Sequence, residues 1–567
     1  MKIKTLISVN TLAAMLVACG GGDINLNPSS DQVNSNNTTN NITNEAGGGD
    51  TPSTDTNPCA SYSEAGQTRE GTYANGNCTY SAAFVSDVSP LTVDLNIPAL
   101  ENGGLHIFQD SLWVGEDVDA SEASTGVRIP QEGEGSVLSI EAGALIAFSS
   151  SADYVRIARG SSIIAEGTAD APIVFSSVTD LRDGAATEGD RGLWGGVQIN
   201  GNGITNKCTD AQRQATSNNV HNCHVTAEGR PATYGGNNNG ESSGILNYVQ
   251  IRYAGYEVVD GSELNGLTLN AVGSGTEIEY VQTYTTLDDG FEMFGGAVDL
   301  KNVVAVNVGD DSIDFSEGWV GDIQFALVTH TSGSNRCIEA DNTGGDRADN
   351  IEPFTKGRIS NMTCITSNVG ENDGEHPSSK GSSEGPLFRE GAHFELYNSI
   401  VTSNASGMES NECLELDDTE GPQTIAAAID GWSVAKSNVV ACTEATKAGV
   451  DPANGAFDID AWLASGENTD NVILDENTTG ALPAVVIEGL DSNPRAYITA
   501  GSMTDGNSNV INVPVYDVTM LANEFEAGAA PALSDSGTSN FFDAVDFIGA
   551  VSADNNWVAG WTVGLDD

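Results

Sequence analysis

From residue 131 onward the chain alternates apolar and polar residues in short runs broken by Gly, Asn, Asp and Ser: "SVLSIEAGALIAF", "YVRIARGSSIIAEG", "PIVFSS", "GGVQING", "ILNYVQIRYAG", "NGLTLNAV", "TEIEYVQTY", "VDLKNVVAVNV" and "GDIQFALVTH". Period-two alternation predicts strands, and none of these runs carries a helical stripe. Strand follows strand without an intervening helix pattern, which leaves a sandwich, a barrel or a β-solenoid. A repeat decides among them. "GFEMFGG" aligns with "SIDFSEG" at a shift of 22 residues, and "RCIEADNTG" follows after 25 more. "NECLELDD" at 411–418 reproduces "NRCIEADN" at 335–342 at a shift of 76, read as about three coils. A recurrence of twenty-odd residues with one strand column in register predicts an all-β, parallel β-helix, each coil burying its apolar face on the next. Leucine-rich repeats share the period, but their leucine and asparagine ladder is absent.

The N-terminal part follows another pattern. Lys2 and Lys4 precede an apolar stretch from Leu6 to Ala18, too short for a membrane span and built like a secretory leader. Leu16-Val17-Ala18-Cys19 resembles the lipobox of bacterial lipoproteins, which implies cleavage after residue 18 and diacylation of Cys19. Residues 20–58 are mostly Gly, Asn, Ser, Thr and Asp and cannot bury a core, so a flexible stalk is expected. Two or three acyl chains anchor stably. Gly20 stands where enteric lipoproteins retained at the inner membrane carry aspartate, so the expected address is the outer membrane, with surface exposure. The domain reading is a leader 1–18, a lipidated stalk 19–58, a cap region 59–130, the β-helix 131–420 and a less regular C-terminal region 421–567 with a closing motif.

Charge and cysteine content narrow the partners. With 22 basic and 80 acidic residues, the formal net charge is −58. Nucleic acid, whose binding depends on basic contacts, is excluded. Such a surface suits divalent cations or high salt, which screen self-repulsion. Setting Cys19 aside leaves eight cysteines, an even number that in an exported chain reads as disulfides. Pairing neighbours gives Cys59 with Cys78, Cys208 with Cys223, Cys337 with Cys364 and Cys413 with Cys442; spacing leaves the other connectivities open. A zinc site from Cys208, His221, Cys223 and His224 is the rival, although no C-x-x-C spacing supports it.

"GSVLSIEAGALIAF…GSSIIAEGTADAPIVFSS…RGLWGGVQINGNG" resembles the opening coils of right-handed parallel β-helix, pectin-lyase-like lipoproteins and secreted surface proteins of Gram-negative bacteria. The resemblance continues through "NGLTLNAVGSGTEIEYVQTYTTLDDGFEMFGGAVDLKNVVAVNVGDDSIDFSEGWVGDIQF" and "CIEADN" and ends at "FFDAVDFIGA…NNWVAGWTVGL". It implies fold and location. That family has no established reaction, so it implies little about mechanism.

"LDDGFEMFGG" at 287–296 and "GDDSIDFSEG" at 309–318 carry the candidate chemistry. The alignment puts Glu292, Asp314, Glu339 and Glu415 in one column, with Asp289 and Asp311 in another. Coils about 4.8 Å apart bring equivalent carboxylates close together. Two unit charges at that distance repel by roughly 0.9 kcal/mol in water and about 3.5 kcal/mol at an effective dielectric of 20. A water-exposed column therefore needs no explanation, and a buried one demands a proton or a cation. Three readings follow. One is a solvated acidic ridge with Asp and Gly at coil corners. Another is a Ca²⁺ site drawn from Asp288, Asp289, Glu292, Asp310, Asp311, Asp314, Glu339 and Asp341, since hard oxygen donors without His or Cys suit calcium.

The third reading is catalytic. Asp289-Gly290-Phe291 and Gly309-Asp310-Asp311-Ser312-Ile313 are similar to stretches of polygalacturonases, which implies Asp310 or Asp311 as acid and Asp289 in the base pair. Those enzymes also present His-Gly and Arg-Ile-Lys on later coils. This chain has Arg336-Cys337-Ile338 instead. A pectate-lyase-like reaction would need a basic proton abstractor, for which Arg336 and Arg347 are candidates. Trp194, Trp319, Tyr253 and Tyr256 could stack on sugars only if exposed. His330, His376 and His393 have no metal spacing, and residues 372–386 form a polar loop suited to a partner. The expected function is a surface-displayed binding or adhesion module for a glycan, a nutrient passed to an outer-membrane transporter, or a surface protein, with calcium as structural partner. A glycan-cleaving enzyme and a purely structural envelope protein are the alternatives.

Overall fold

The computed structural model describes residues 57–259, 262–330, 333–343, 350–367, 383–403, 412–417, 423–442, 444–451, 455–474, 498–499, 502–504, 510–521, 541–552 and 554–565. The leader, Cys19, nearly all of the stalk, Arg347, His376 and most of the 372–386 loop lie outside these residues.

Ten strands, from Leu112–Val114 to Lys447–Ala448, stack as one parallel sheet with one strand per coil. Their register puts one residue of each coil directly over its equivalent in the next. Val114, Ile157, Ile199, Leu269, Met293, Phe315, Ala340, Phe388 and Leu416 form an inward column. All are buried in one continuous core. The alternation in the sequence becomes, coil by coil, the wall of a solenoid.

Eighteen further strands make the other walls. Gly244–Arg252, Glu277–Tyr284, Asp299–Val306, Asp322–Thr329 and Lys356–Thr366 each bend at one positive-φ residue, respectively Tyr248, Tyr280, Asn302, Phe325 and Asn361. Inside, Phe108, Phe148 and Trp194 form a ring stack, with 4.8 Å between the last two. Trp194 and Trp319 are fully buried, and Tyr253 nearly so. The first two are therefore core residues rather than sugar platforms.

Parallel pairing extends beyond 131–420 at both ends. Asn77–Tyr80 already pairs with Leu105–Phe108, and Val439–Ala441 pairs with Val472–Leu474. Short helices occur at Gln423–Asp430 and Ile459–Leu463. All four neighbour disulfides are formed. The Cys208–Cys223 bond consumes both thiols of the zinc rival and overturns it. It also ties together an excursion, residues 201–240, that lies against the outer side of the ten-stranded sheet. Arg159, fully buried, holds that excursion by donating to the carbonyls of Cys223 and Gly235, each at 3.0 Å.

Candidate acidic site

The outward column of the ten-stranded sheet reads Trp113, Arg156, Gln198, Thr268, Glu292, Asp314, Glu339, Leu387, Glu415 and Lys447. The column assigned to Glu292, Asp314, Glu339 and Glu415 is thus present, with one correction. Glu415 lies two coils after Glu339, not three, because the coil carried by Leu387 includes a long insertion that stretches its share of the 76 residues.

The aspartate column has a backbone role. Asn265 accepts the Asp289 N–H at 3.1 Å, Asp289 accepts the Asp311 N–H at 2.9 Å, and Asp311 accepts the Arg336 N–H at 2.9 Å, each through Oδ1. One carboxylate oxygen per coil therefore staples the next coil down. Gly290 follows Asp289 because a side chain has no room there: a Cβ would meet the Ser312 carbonyl oxygen at 2.6 Å. The staple accounts for Asp289 and Asp311, and the close approach accounts for Gly290.

Burial separates the ridge reading from the others. Asp288 and Glu292 are 8 % exposed, Asp289 6 % and Asp311 5 %. Asp310, Asp314 and Glu339 are half-buried, and the Oδ1 of Asp314 is sealed from solvent with no hydrogen-bond partner. The covering comes from the excursion and from a hairpin, Tyr256–Val259 with Ser262–Leu264. These elements bring Glu228 and Glu263 towards the column; in turn Glu317 accepts from Tyr234 Oη at 2.6 Å and pairs with Lys207 at 2.8 Å. Sequence reasoning missed these residues, which lie outside the repeat and reach the site only through the folding of the cover.

Desolvation, added to the charges of neighbouring acids, pushes the carboxyls of Asp289, Glu292, Asp311 and Asp314 well above the usual carboxylate range. The same causes raise Glu228 to about 8. Glu339 is raised to about 7 by burial although the Arg389 guanidinium opposes the shift. Further along the column, cations are built in. Arg389 meets Glu339 and lies 2.9 Å from Asp341; Arg336 reaches Glu384 at 2.5 Å and Glu415 at 3.0 Å; Lys447 reaches Glu412 and Glu415 at 2.9 Å. Among the described residues, no Lys or Arg forms an ion pair with Asp289, Glu292, Asp311 or Asp314.

Three groups place one oxygen from each member within 4.8 Å of the others: Asp288, Asp289 and Asp310; Asp289, Glu292 and Asp314; Asp311, Asp314 and Glu339. Asp341 joins none of them and pairs with Arg389. A donor set made only of carboxylates is suited to a hard divalent cation. Arg336, the candidate base, is held by its two glutamates.

No curated protein and no solved structure matches the chain. A family model described as a pectate-lyase like beta helix domain matches residues 130–471, more than half of the sequence. That match spans nearly all of the ten-stranded ladder and the whole acidic column, and the chain belongs to the pectate-lyase-like β-helix family.

Proposed function

We propose that the acidic column is a divalent-cation site, calcium by its donor chemistry, and that the chain is a non-catalytic β-helix binding module whose scaffold the cation stabilises. The observation that carries this reading is the buried Oδ1 of Asp314 between Glu292 and Glu339, which among the described residues has no hydrogen-bond partner, in a stretch of column where none of the described Lys or Arg residues forms an ion pair with Glu292 or Asp314. Buried charge without a partner is costly, and either protons or a cation must relieve it. Lipid on Cys19 and a tether through residue 58 would carry the module at the outer membrane, where a glycan, a nutrient bound for a transporter or a surface protein are its candidate ligands. Equilibrium dialysis against calcium tests the cation directly. Wild-type protein should retain calcium at neutral pH, and Glu292→Gln with Asp314→Asn should retain at most about a tenth as much, as expected when two charged ligands are lost. No retained calcium in the wild type would defeat the reading.

A glycan-cleaving enzyme is the second reading, favoured by one observation: Asp289 and Asp311 sit on adjacent coils, with carboxyls that burial raises well above the usual carboxylate range. Against it, each commits an oxygen to the next coil's backbone, and both are buried. Turnover of a uronate polymer that Asp311→Asn abolishes would replace the first reading with this one.

A further inference from the structure

A second column of positive-φ residues runs along the corner of the eighteen-stranded sheet: Tyr248, Tyr280, Asn302, Phe325, Asn361 and Asn398, one per coil. Bulky side chains at such backbone angles are unusual and persist where the surroundings hold them. Here the holding element is the C-terminal part of the chain, which crosses the coils from outside. Trp561 packs edge-on against Tyr248 and Tyr280, and Trp557 against Tyr280. Phe547 stacks on Phe325 at 6.2 Å. Asn361 donates to the carbonyls of Phe547 and Gly549 at 3.1 and 3.2 Å, and Asn398 bonds both the N–H and the carbonyl of Tyr516.

Asn302 is the exception. It is 5 % exposed, lies between the Tyr280 and Phe325 coils, and its amide has no hydrogen-bond partner among the described residues. It lines a groove of about 760 Å³ that also takes in Tyr280, Phe325 and Glu279 from the coils and Asp546, Phe547 and Asn555 from the C-terminal chain. The amide opens into the groove, where a ligand can meet it with both a donor and an acceptor.

We propose that this groove binds an extended peptide segment of basic character, with Asn302 clasping one peptide unit. The chemistry is repeated beside it. Gln282 bonds the N–H and carbonyl of Val563 at 2.9 and 2.7 Å, and Gln324 those of Asp543 at 2.7 and 3.0 Å, so side-chain amides on this face already hold main chain in four neighbouring places. Asp546 and Asp543 are exposed at the rim and Glu279 is half-buried within it. The lysine beside the groove, Lys301, is held by Asp543 at 2.8 Å. Acid at the mouth with aromatic rings inside favours lysine or arginine side chains and repels uronates. This site lies on a different sheet from the acidic column and does not depend on the cation reading.

The test is binding of a capped alanine–lysine pentapeptide to the full chain at low ionic strength, followed by fluorescence anisotropy of a label on the peptide, beside its glutamate counterpart and a neutral glucose oligosaccharide. The lysine peptide should bind saturably, and the other two should not. Asn302→Gly tolerates the positive φ and removes the amide, so it should weaken binding about tenfold. Asp546→Asn, at the exposed rim, should weaken it severalfold with a smaller salt dependence. Equal binding of the glutamate peptide, preference for the oligosaccharide, no saturable binding, or full affinity in Asn302→Gly would each overturn the proposal.

Discussion

Glu292 and Asp314 hold the same outward position as Glu339 and Glu415 further along the solenoid, yet the two ends of the column are neutralised differently. Towards the C-terminus, Arg336, Arg389 and Lys447 supply positive charge from the coils themselves. Towards the N-terminus the sheet is covered by the excursion, and that cover contributes further acids, Glu228 and Glu263. A column position thus dictates stacking distance but not charge state; what lies over the column decides that. Stacked acids are stable where a guanidinium reaches across coils, and where none does they call for an external cation or retained protons.

The largest effect should come from making the second end resemble the first. Arg336→Met strips Glu384 and Glu415 of their shared guanidinium, and removing one partner of a buried pair costs about 3–5 kcal/mol. Chemical denaturation should show that loss in calcium-free buffer, with part of it recovered when calcium is added. Full stability in the variant would mean that the built-in cations are ornamental.

A smaller effect should appear in the pH dependence of the calcium-free protein. Carboxyls with folded-state values raised to about 7 or 8, as for Glu339 and Glu228, bind more protons folded than unfolded in the window from roughly pH 4 to 8. Their contribution is fully present below the unfolded value and is lost as pH rises through the folded one. The melting temperature in EDTA should therefore fall between pH 5 and pH 8, and calcium should flatten that slope. A rising or flat profile in EDTA would contradict the assigned protonation.

The smallest effect calibrates the others. Arg128 and Glu134 pair at 2.7 Å with both side chains exposed. Arg128→Ala should change stability by no more than about 0.5 kcal/mol and leave calcium dependence untouched.

How much of this was legible in the sequence follows from which forces act locally. Period-two alternation and a 22-residue shift suffice for a parallel solenoid, because each coil repeats the same burial problem; they also place Glu292, Asp314 and Glu339 in register. Neighbouring cysteines pair because each bridge closes a local loop, 15 to 29 residues apart in sequence. Coil counting from Glu339 to Glu415 failed because an insertion has no periodicity to reveal it. Tyr234, Glu228 and Lys207 could not be assigned to the site, since a non-repeating excursion chooses its resting place through long-range contacts such as that of Arg159. Asn302 carries no sequence signal that distinguishes it from Asn361, which an external chain segment occupies.

Thermal unfolding of the protein in EDTA and then with calcium added back, at constant high ionic strength and neutral pH, distinguishes a cation from protons at the buried acids. A ligand held only by the folded state stabilises it by about 2.7 kcal/mol at a hundredfold excess over its dissociation constant. Calcium should raise the melting temperature saturably, and the rise should disappear in Glu292→Gln with Asp314→Asn. An unchanged melting temperature in the wild type at saturating calcium would contradict it and leave the buried acids to protons alone.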